Sequence, residues 1–378
     1  MRTGQTSKSE NICCLVDSEF TVTVRSSRFG FIPVKWFRAS IRQSHWWHMG
    51  KVLVTGSAGH LGEALVRVLR NTSHEVVGLD LLHSDFTSEV GSIADRHFVR
   101  RCMKGADAVL HTATLHKPHV STHSRQSFVD TNITGTLNLL EEAASVGVRS
   151  FVFTSTTSAF GVALTPPAGV PAAWVTEDVT PIPKNIYGVT KTAAEDMCEL
   201  FHRNQRLPLL ILRTSRFFPE EDDDGETRQA YEDGNLKANE FLYRRVDIED
   251  AVSAHLLALE KAPAIGFGRY IISATTPFTR DDLFDLRANA PLVVKRCFPD
   301  YEEEYARRTW RMFPGIERVY VNERARKDLG WNPRYDFRRV LDSLKAGADP
   351  RSPLSCEVGA KGYHPTQTTV AKSHNDRS

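Results

Sequence analysis

The segment Thr55-Gly56-Ser57-Ala58-Gly59-His60-Leu61-Gly62 follows the short apolar run Lys51–Thr55 and leads into apolar residues at helical spacing, Leu61, Leu65, Val68 and Leu69. Few folds accept a strand that ends in this glycine spacing and reopens as a helix. Gly56 and Gly59 allow a tight turn with close backbone approach, and Gly62 allows the new helix to pack closely. The N–H groups from Gly56 through Leu61, those of Ala58 and His60 included, then gather at a helix N-terminus. The partial positive charge there favours an anion such as a pyrophosphate.

Beyond this turn the chain alternates. Glu75–Leu79, Ala108–His111, Phe151–Ser155 and Leu209–Arg213 read as strands, and Val129–Val146 and Tyr187–His202 as helices. Strands that are apolar throughout, separated by helices, predict a parallel sheet covered on both faces. The expected fold class is therefore α/β, a Rossmann-type doubly wound parallel sheet over residues 49–215, with 245–273 returning to it. Residues 216–244 and 274–350 are expected to form a smaller, discontinuous substrate-binding part. The regularity breaks after Arg213 at the acidic run Glu220–Asp224, read as a solvated loop, and resumes with a helix over Ile248–Leu259 and a strand over Tyr270–Ser273. Residues 351–378 are polar and aperiodic and read as a mobile tail.

Residues 1–48 differ from the rest. Between Phe20 and His48 stand Arg25, Arg28, Lys35, Arg38 and Arg42 and no acidic residue. The segment reads as a disordered or misassigned extension ahead of Met49; mitochondrial targeting is the lesser alternative, because Glu10, Asp17, Glu19 and Pro33 disrupt an amphipathic leader. The charged residues, 48 basic against 46 acidic, leave a formal charge of +2, so no net field calls for nucleic acid or a membrane surface. The six cysteines show no CxxC spacing, which fits reduced thiols and a cytoplasmic location.

Two further groups of residues carry chemistry. Asp80 closes the second strand, where a carboxylate accepts hydrogen bonds from an adenosine ribose and repels a 2′-phosphate, favouring NAD over NADP. Tyr187 and Lys191 lie four apart on a helix and so share a face. A neighbouring ammonium stabilises phenolate, which would bring tyrosine down from about 10 toward neutrality. Thr156, at the carboxyl edge of Phe151–Ser155, can hydrogen-bond a substrate oxygen. His111, His116, His119 and His123 surround Pro118 in no regular register, and the expectation is that one or two of them line the cofactor cleft, with no metal bound.

With these residues the chain resembles the extended short-chain dehydrogenase/reductases of the NAD-dependent epimerase/dehydratase family, from about Lys51 to Asp349. The resemblance rests on Thr55–Gly62, Asp80, His111-Thr112-Ala113-Thr114, Asn132, Phe153-Thr154-Ser155-Thr156, Tyr187/Lys191, Arg213–Pro219, Arg245–Asp250 and Leu329–Pro333. It implies Tyr187 as general acid/base, Lys191 as its assistant, which also holds the nicotinamide ribose, and Thr156 in the usual serine or threonine place. It also implies Ser92 and Ile93 at the adenine, with Ser92 standing where the family has aspartate, and Thr112 and Ala113 along the dinucleotide. His116, Phe217 and Arg245 are the substrate-side candidates, among the lid residues Arg216, Phe217, Phe218, Tyr243, Arg244, Arg245 and Trp310. Thr156-Thr157-Ser158 lacks the acidic pair of the family's dehydratases, so dehydration is disfavoured. The expectation is an NAD-dependent oxidoreductase acting at a secondary alcohol or ketone of a sugar-like or small carbonyl substrate, with a homodimer in keeping with the family. The alternatives are an epimerase working through a transient ketone and, in another class, a non-catalytic dinucleotide sensor.

Overall fold

The computed structural model describes residues 50–362. The reading of residues 1–48 lies outside these. The elements run β1 (Lys51–Thr55), α1 (His60–Leu69), β2 (Glu75–Asp80), β3 (Glu89–Val90), α2 (Arg96–Met103), β4 (Ala106–His111), α3 (Arg125–Phe128), α4 (Gly135–Val146) and β5 (Ser150–Thr156). They continue with β6 (Ala173–Val175), α5 (Ile186–Gln205), β7 (Leu209–Thr214), α6 (Gly225–Ala230), α7 (Asp233–Glu240), α8 (Ile248–Ile265) and β8 (Phe267–Ile272). The last part holds α9 (Leu283–Cys297), α10 (Tyr301–Arg307), β9 (Arg318–Tyr320), α11 (Glu323–Leu329), α12 (Phe337–Lys345) and α13 (Pro353–Val358).

Seven strands form one sheet in the order β3-β2-β1-β4-β5-β7-β8, with every pairing parallel. Successive residues of β1 face opposite sides, as the strand's pleat requires. Val52 and Val54 join Leu65, Val252, Ala258 and Trp331 on one face, while Leu53 joins Val99, Leu140 and Ala194 on the other. Both faces are thus covered by helices, and the apolar run of each strand is the consequence. The strand order reverses between β1 and β4, so the crevice for a ligand opens at their carboxyl ends.

A second apolar cluster joins Leu242 and Tyr243 to Phe278, Leu286, Val293, Tyr305, Val319 and Phe337. The short sheet β6-β9 lies beside it, with Ala173 opposite Arg318. Residues 173–175 therefore pair with a strand far downstream, which local pattern could not show.

Three local readings change. The helix expected from Val129 begins at Arg125 and passes through a π-helical stretch, Val129–Thr134, before α4. The helix expected to stop at Leu259 runs to Ile265, because Pro263 stands in its last turn and forfeits one hydrogen bond only. Beyond Arg351 the chain is not a free tail: Ser352 caps α13, Pro353 opens it, and Leu354 and Val358 bury against the main core. The Ser352 N–H also donates to the Asp247 carboxylate at 3.1 Å. Residues 363–378 lie outside those described.

This docking is measurable. Leu354→Ala is expected to lower the free energy of unfolding by about 2–3 kcal/mol, read by urea denaturation; a loss of only a few tenths would mean that α13 contributes nothing to the fold.

Candidate functional site

A cleft of about 680 Å³ opens at the carboxyl ends of β1, β4 and β5. Its lining includes Gly56, Ala58, Gly59, His60, Leu61 and Gly62 from the glycine turn, Asp80, Ser92 and Ile93, Thr112 and Ala113, and His116, Thr156, Tyr187 and Phe217. These expected residues, scattered over the sequence, meet in one place. Lys191 and Arg245 do not line it.

The glycine turn is built for close approach. Gly56 sits at φ +74°, and a Cβ there would lie 2.7 Å from the Ala113 nitrogen. A Cβ on Gly62 would lie 1.9 Å from the Gly56 carbonyl oxygen, so this glycine seats α1 against the turn itself. Asp80 already accepts from the Ala58 N–H at 3.0 Å and from the Leu82 N–H at 3.0 Å, which fixes its carboxylate at the cleft wall with lone pairs to spare for hydroxyls. The Ser92 hydroxyl accepts from the Ala94 N–H at 3.1 Å and keeps its own proton to donate.

Tyr187 is buried, on the first turn of α5, which Asn185 caps by accepting from the Gly188 N–H. Burial pushes the phenol up to about 12, and a hydrogen bond with Thr156 offsets only part of this. Thr156 in turn accepts from the Ser158 N–H at 3.1 Å. Lys191 is buried behind them. Its Nζ donates to the Thr154 carbonyl at 2.6 Å and lies 3.9 Å from the centre of the Phe153 ring. Burial lowers its ammonium to about 7, against smaller upward pulls from Cys198 and Glu195. Lys191, expected to acidify Tyr187, is not among the groups that shift the phenol here. The amine is aimed at backbone and ring and has itself lost most of its affinity for a proton.

Arg245 needs a correction too. Its Nε donates to Glu240 at 3.0 Å and its Nη atoms hold the Phe218 carbonyl, so it braces the lid from inside. Its neighbour Arg244 lines the cleft instead, with Arg216, Arg318 and Tyr320. The acidic run is a solvated loop only in part: Glu221 and Asp224 are exposed, but the other carboxylates are tied down. Glu220 pairs with His60 at 2.9 Å, Asp222 with Arg216, Asp223 with Lys117 at 3.2 Å, and Asp224 caps α6. Burial would raise the Glu220 carboxyl, but the hydrogen bond and charge of His60 and the Lys361 N–H hold it down at about 2. His116 stacks on Phe218, ring centres 5.3 Å apart. Among the described residues no group of three or more His, Cys, Asp or Glu could hold a metal ion, and no helix is long and apolar enough to cross a membrane.

Sheet order, glycine turn and cleft together define a dinucleotide-binding enzyme of the extended short-chain dehydrogenase/reductase type. The chain belongs to the NAD dependent epimerase/dehydratase family, whose model matches residues 52–272. A UDP-glucose 4-epimerase of Streptomyces lividans is 35% identical over 159 residues, 39% of this chain and 46% of that protein. A 2-alkyl-3-oxoalkanoate reductase of Stenotrophomonas maltophilia is 28% identical over 338 residues, 79% of this chain and 99% of its own. A short-chain dehydrogenase/reductase superfamily protein of Agrobacterium tumefaciens, solved with bound NAD, is 26% identical, covers 78% of this chain and 96% of its own, and superposes with a TM-score of 0.57.

The buried amine carries a pH signature. The unfolded lysine binds a proton up to about 10.4, whereas the folded one releases it near 7. Between these values the unfolded state binds more protons, so stability rises with pH. Relative to Lys191→Met, the wild type is expected to lose stability as pH falls from about 10 toward 7 and to level off below. Paired thermal melts test this; parallel curves would show that Lys191 keeps its proton.

Proposed function

We propose that the protein is an NAD-dependent oxidoreductase that transfers hydride at a secondary alcohol or ketone of a sugar-like or small carbonyl substrate. The observation that carries this reading is the meeting of Tyr187 and Thr156 with the glycine turn in one cleft. The turn suits the dinucleotide: Gly56 folds tightly against Ala113 and Gly62 seats α1 on the turn, so the helix N-terminus meets the cleft, and Asp80 presents a carboxylate at the cleft wall. The bound nicotinamide supplies or accepts the hydride.

The chain's own residues handle the proton. Thr156 accepts from the Ser158 N–H and hydrogen-bonds the Tyr187 phenol, so a substrate oxygen entering between the two hydroxyls would take up the Thr156 proton in a hydrogen bond and lie beside the phenol. Tyr187, protonated at neutral pH, donates to that oxygen as a ketone becomes an alcohol, and takes the proton back in the reverse direction. Lys191, outside the cleft lining, braces Thr154, which lines it, by donating to its carbonyl. Thr157 and Ser158 carry no carboxyl group, which speaks against elimination of water.

Epimerisation through a transient ketone is the second reading, favoured by the likeness of part of the chain to the UDP-glucose 4-epimerase named above. The name of the reductase relative favours net reduction, while length of match does not separate the two readings, since a UDP-glucose 4-epimerase of Rhizobium meliloti is also covered over 95% of its length.

Tyr187→Phe is expected to lower kcat by at least about 100-fold, the scale of general acid catalysis, with NADH affinity nearly unchanged by fluorescence titration; full activity in that variant would refute the assignment. The same titration should give tighter binding of NADH than NADPH, and Asp80→Ala should narrow the gap. A wild-type preference for NADPH would overturn the role given to Asp80.

A further inference from the structure

Four arginine and lysine side chains on the cleft wall are already neutralised. Arg216 pairs with Asp222 and with Glu240 at 3.4 Å, and Arg244 with Glu240 at 2.7 Å. Lys117 pairs with Asp223, and Lys361 with Glu63. Lys184 stands exposed at the rim and donates to the Thr165 hydroxyl at 3.3 Å. Arg318 is different. It lies partly buried on β9, in the same wall as Arg244 and Tyr320, and among the described residues no carboxylate lies within 4.0 Å of it. Its Nε is buried with no hydrogen-bond partner, and the centre of the Tyr243 ring is 5.9 Å from the guanidinium carbon.

A half-buried guanidinium with no carboxylate partner and a buried, unpartnered Nε is costly unless a ligand completes it, because that N–H has lost water and gained no acceptor. We propose that Arg318 is the anchor for a carboxylate on the substrate, so that the compound oxidised or reduced at Tyr187 is a hydroxy or oxo acid. The inference rests on the oxidoreductase reading and narrows its substrate. The guanidinium fork matches a carboxylate with two parallel hydrogen bonds. One uncompensated positive charge balances one carboxylate. A diphosphate would set two negative charges against this single unpaired guanidinium, since Arg216, Arg244, Lys117 and Lys361 already hold carboxylates. Backbone pairing fixes the residue: Arg318 stands opposite Ala173 in the β6-β9 ladder, and the Tyr320 N–H donates to the Tyr243 carbonyl at 3.1 Å. The anchor therefore belongs to the wall built by β9 and the lid residue Tyr243.

The test is binding to the full-length protein saturated with NADH, by calorimetry, of matched pairs: 3-oxooctanoate and its methyl ester, galacturonate and galactose, with UDP-glucose as the nucleotide-linked comparison. At least one acid is expected to bind about 10- to 100-fold tighter than its neutral counterpart, the scale of a charge-assisted hydrogen-bonded pair. Arg318→Met and Arg318→Gln should erase that preference, and Arg318→Lys should keep part of it, with NADH affinity unchanged in all three. The proposal is overturned if no acid outbinds its partner, if the preference survives in the variants, or if UDP-glucose binds better than every acid. Tyr187→Phe separates the two readings, because it should leave the acid preference intact while abolishing turnover. An acid preference in a wild type that turns over none of the acids would refute the oxidoreductase reading and leave the anion anchor standing.

Discussion

A buried line of hydrogen bonds connects the glycine turn to the helix that carries Tyr187, and the site exists because this line is continuous. Thr55, the last residue of β1, accepts from the Ala113 N–H at 3.1 Å and meets His111 Nδ1 at 2.8 Å. His111 Nε2 meets the Thr136 hydroxyl at 3.0 Å, and Thr136 donates to the Asn132 carbonyl at 2.7 Å. Asn132 donates to Thr190 at 3.0 Å, between Tyr187 and Lys191 on α5. Since the Thr136 proton is spent on Asn132, the ring must donate from Nε2 and accept at Nδ1 from Thr55. That assignment needs a neutral imidazole, and burial together with the charge of Lys191 keeps His111 well below its ordinary range. The π-helical stretch is what turns Asn132 inward, where all four of its hydrogen-bonding positions are used.

The second constraint is charge. The segment from Arg216 to Asp224 crosses one side of the cleft and is fastened at His60 on α1, at Lys117 after β4 and at the Lys361 N–H near the end of the described chain. Its carboxylates look wrong for a protein that holds a pyrophosphate, until their partners are counted. Burial works against the charge of Asp222, and Arg216 and Arg244 more than compensate. Pairing this dense leaves the helix N-terminus and its backbone N–H groups as the donors for an anion at that end of the cleft. The acidic run therefore shapes the wall and spares the pyrophosphate site.

Much of this was legible, for reasons that can be stated. The glycine turn, Asp80 and the Tyr187/Lys191 spacing are local: each works through residues adjacent in the chain or one helical turn apart, so spacing alone identified them. The ion pairs of the acidic run were not legible, because Glu220 and His60 are far apart in sequence and only the packed lid brings them together. Arg244 and Arg245 show the limit of resolution. The two are adjacent, one faces the cleft and the other braces Phe218, and no periodicity in a stretch of irregular backbone decides which. Arg318 escaped notice because β9 has three residues and its partner β6 three, too short for an alternating pattern. The docking of α13 was readable in part: Ser352-Pro353 is a capping signal, and Leu354 and Val358 lie one turn apart.

For the proposed hydride transfer, the protonation state of the buried pair decides which half of the proton chemistry the side chains favour. Burial disfavours the charged form of both groups, lifting the phenol to about 12 and lowering the amine to about 7. Moving tyrosine from there to neutrality would require roughly 1.4 kcal/mol for each unit, and an amine held by the Thr154 carbonyl contributes little of it. Thr156 contributes something, because its hydroxyl stabilises the phenolate that forms. The protein alone thus stores a proton on Tyr187, which suits donation to a developing alkoxide. Proton abstraction from an alcohol needs a further positive charge in the same dry pocket. A ligand that brings one changes the local balance of charge, and the direction of the reaction then follows from what occupies the cleft more than from the side chains that line it.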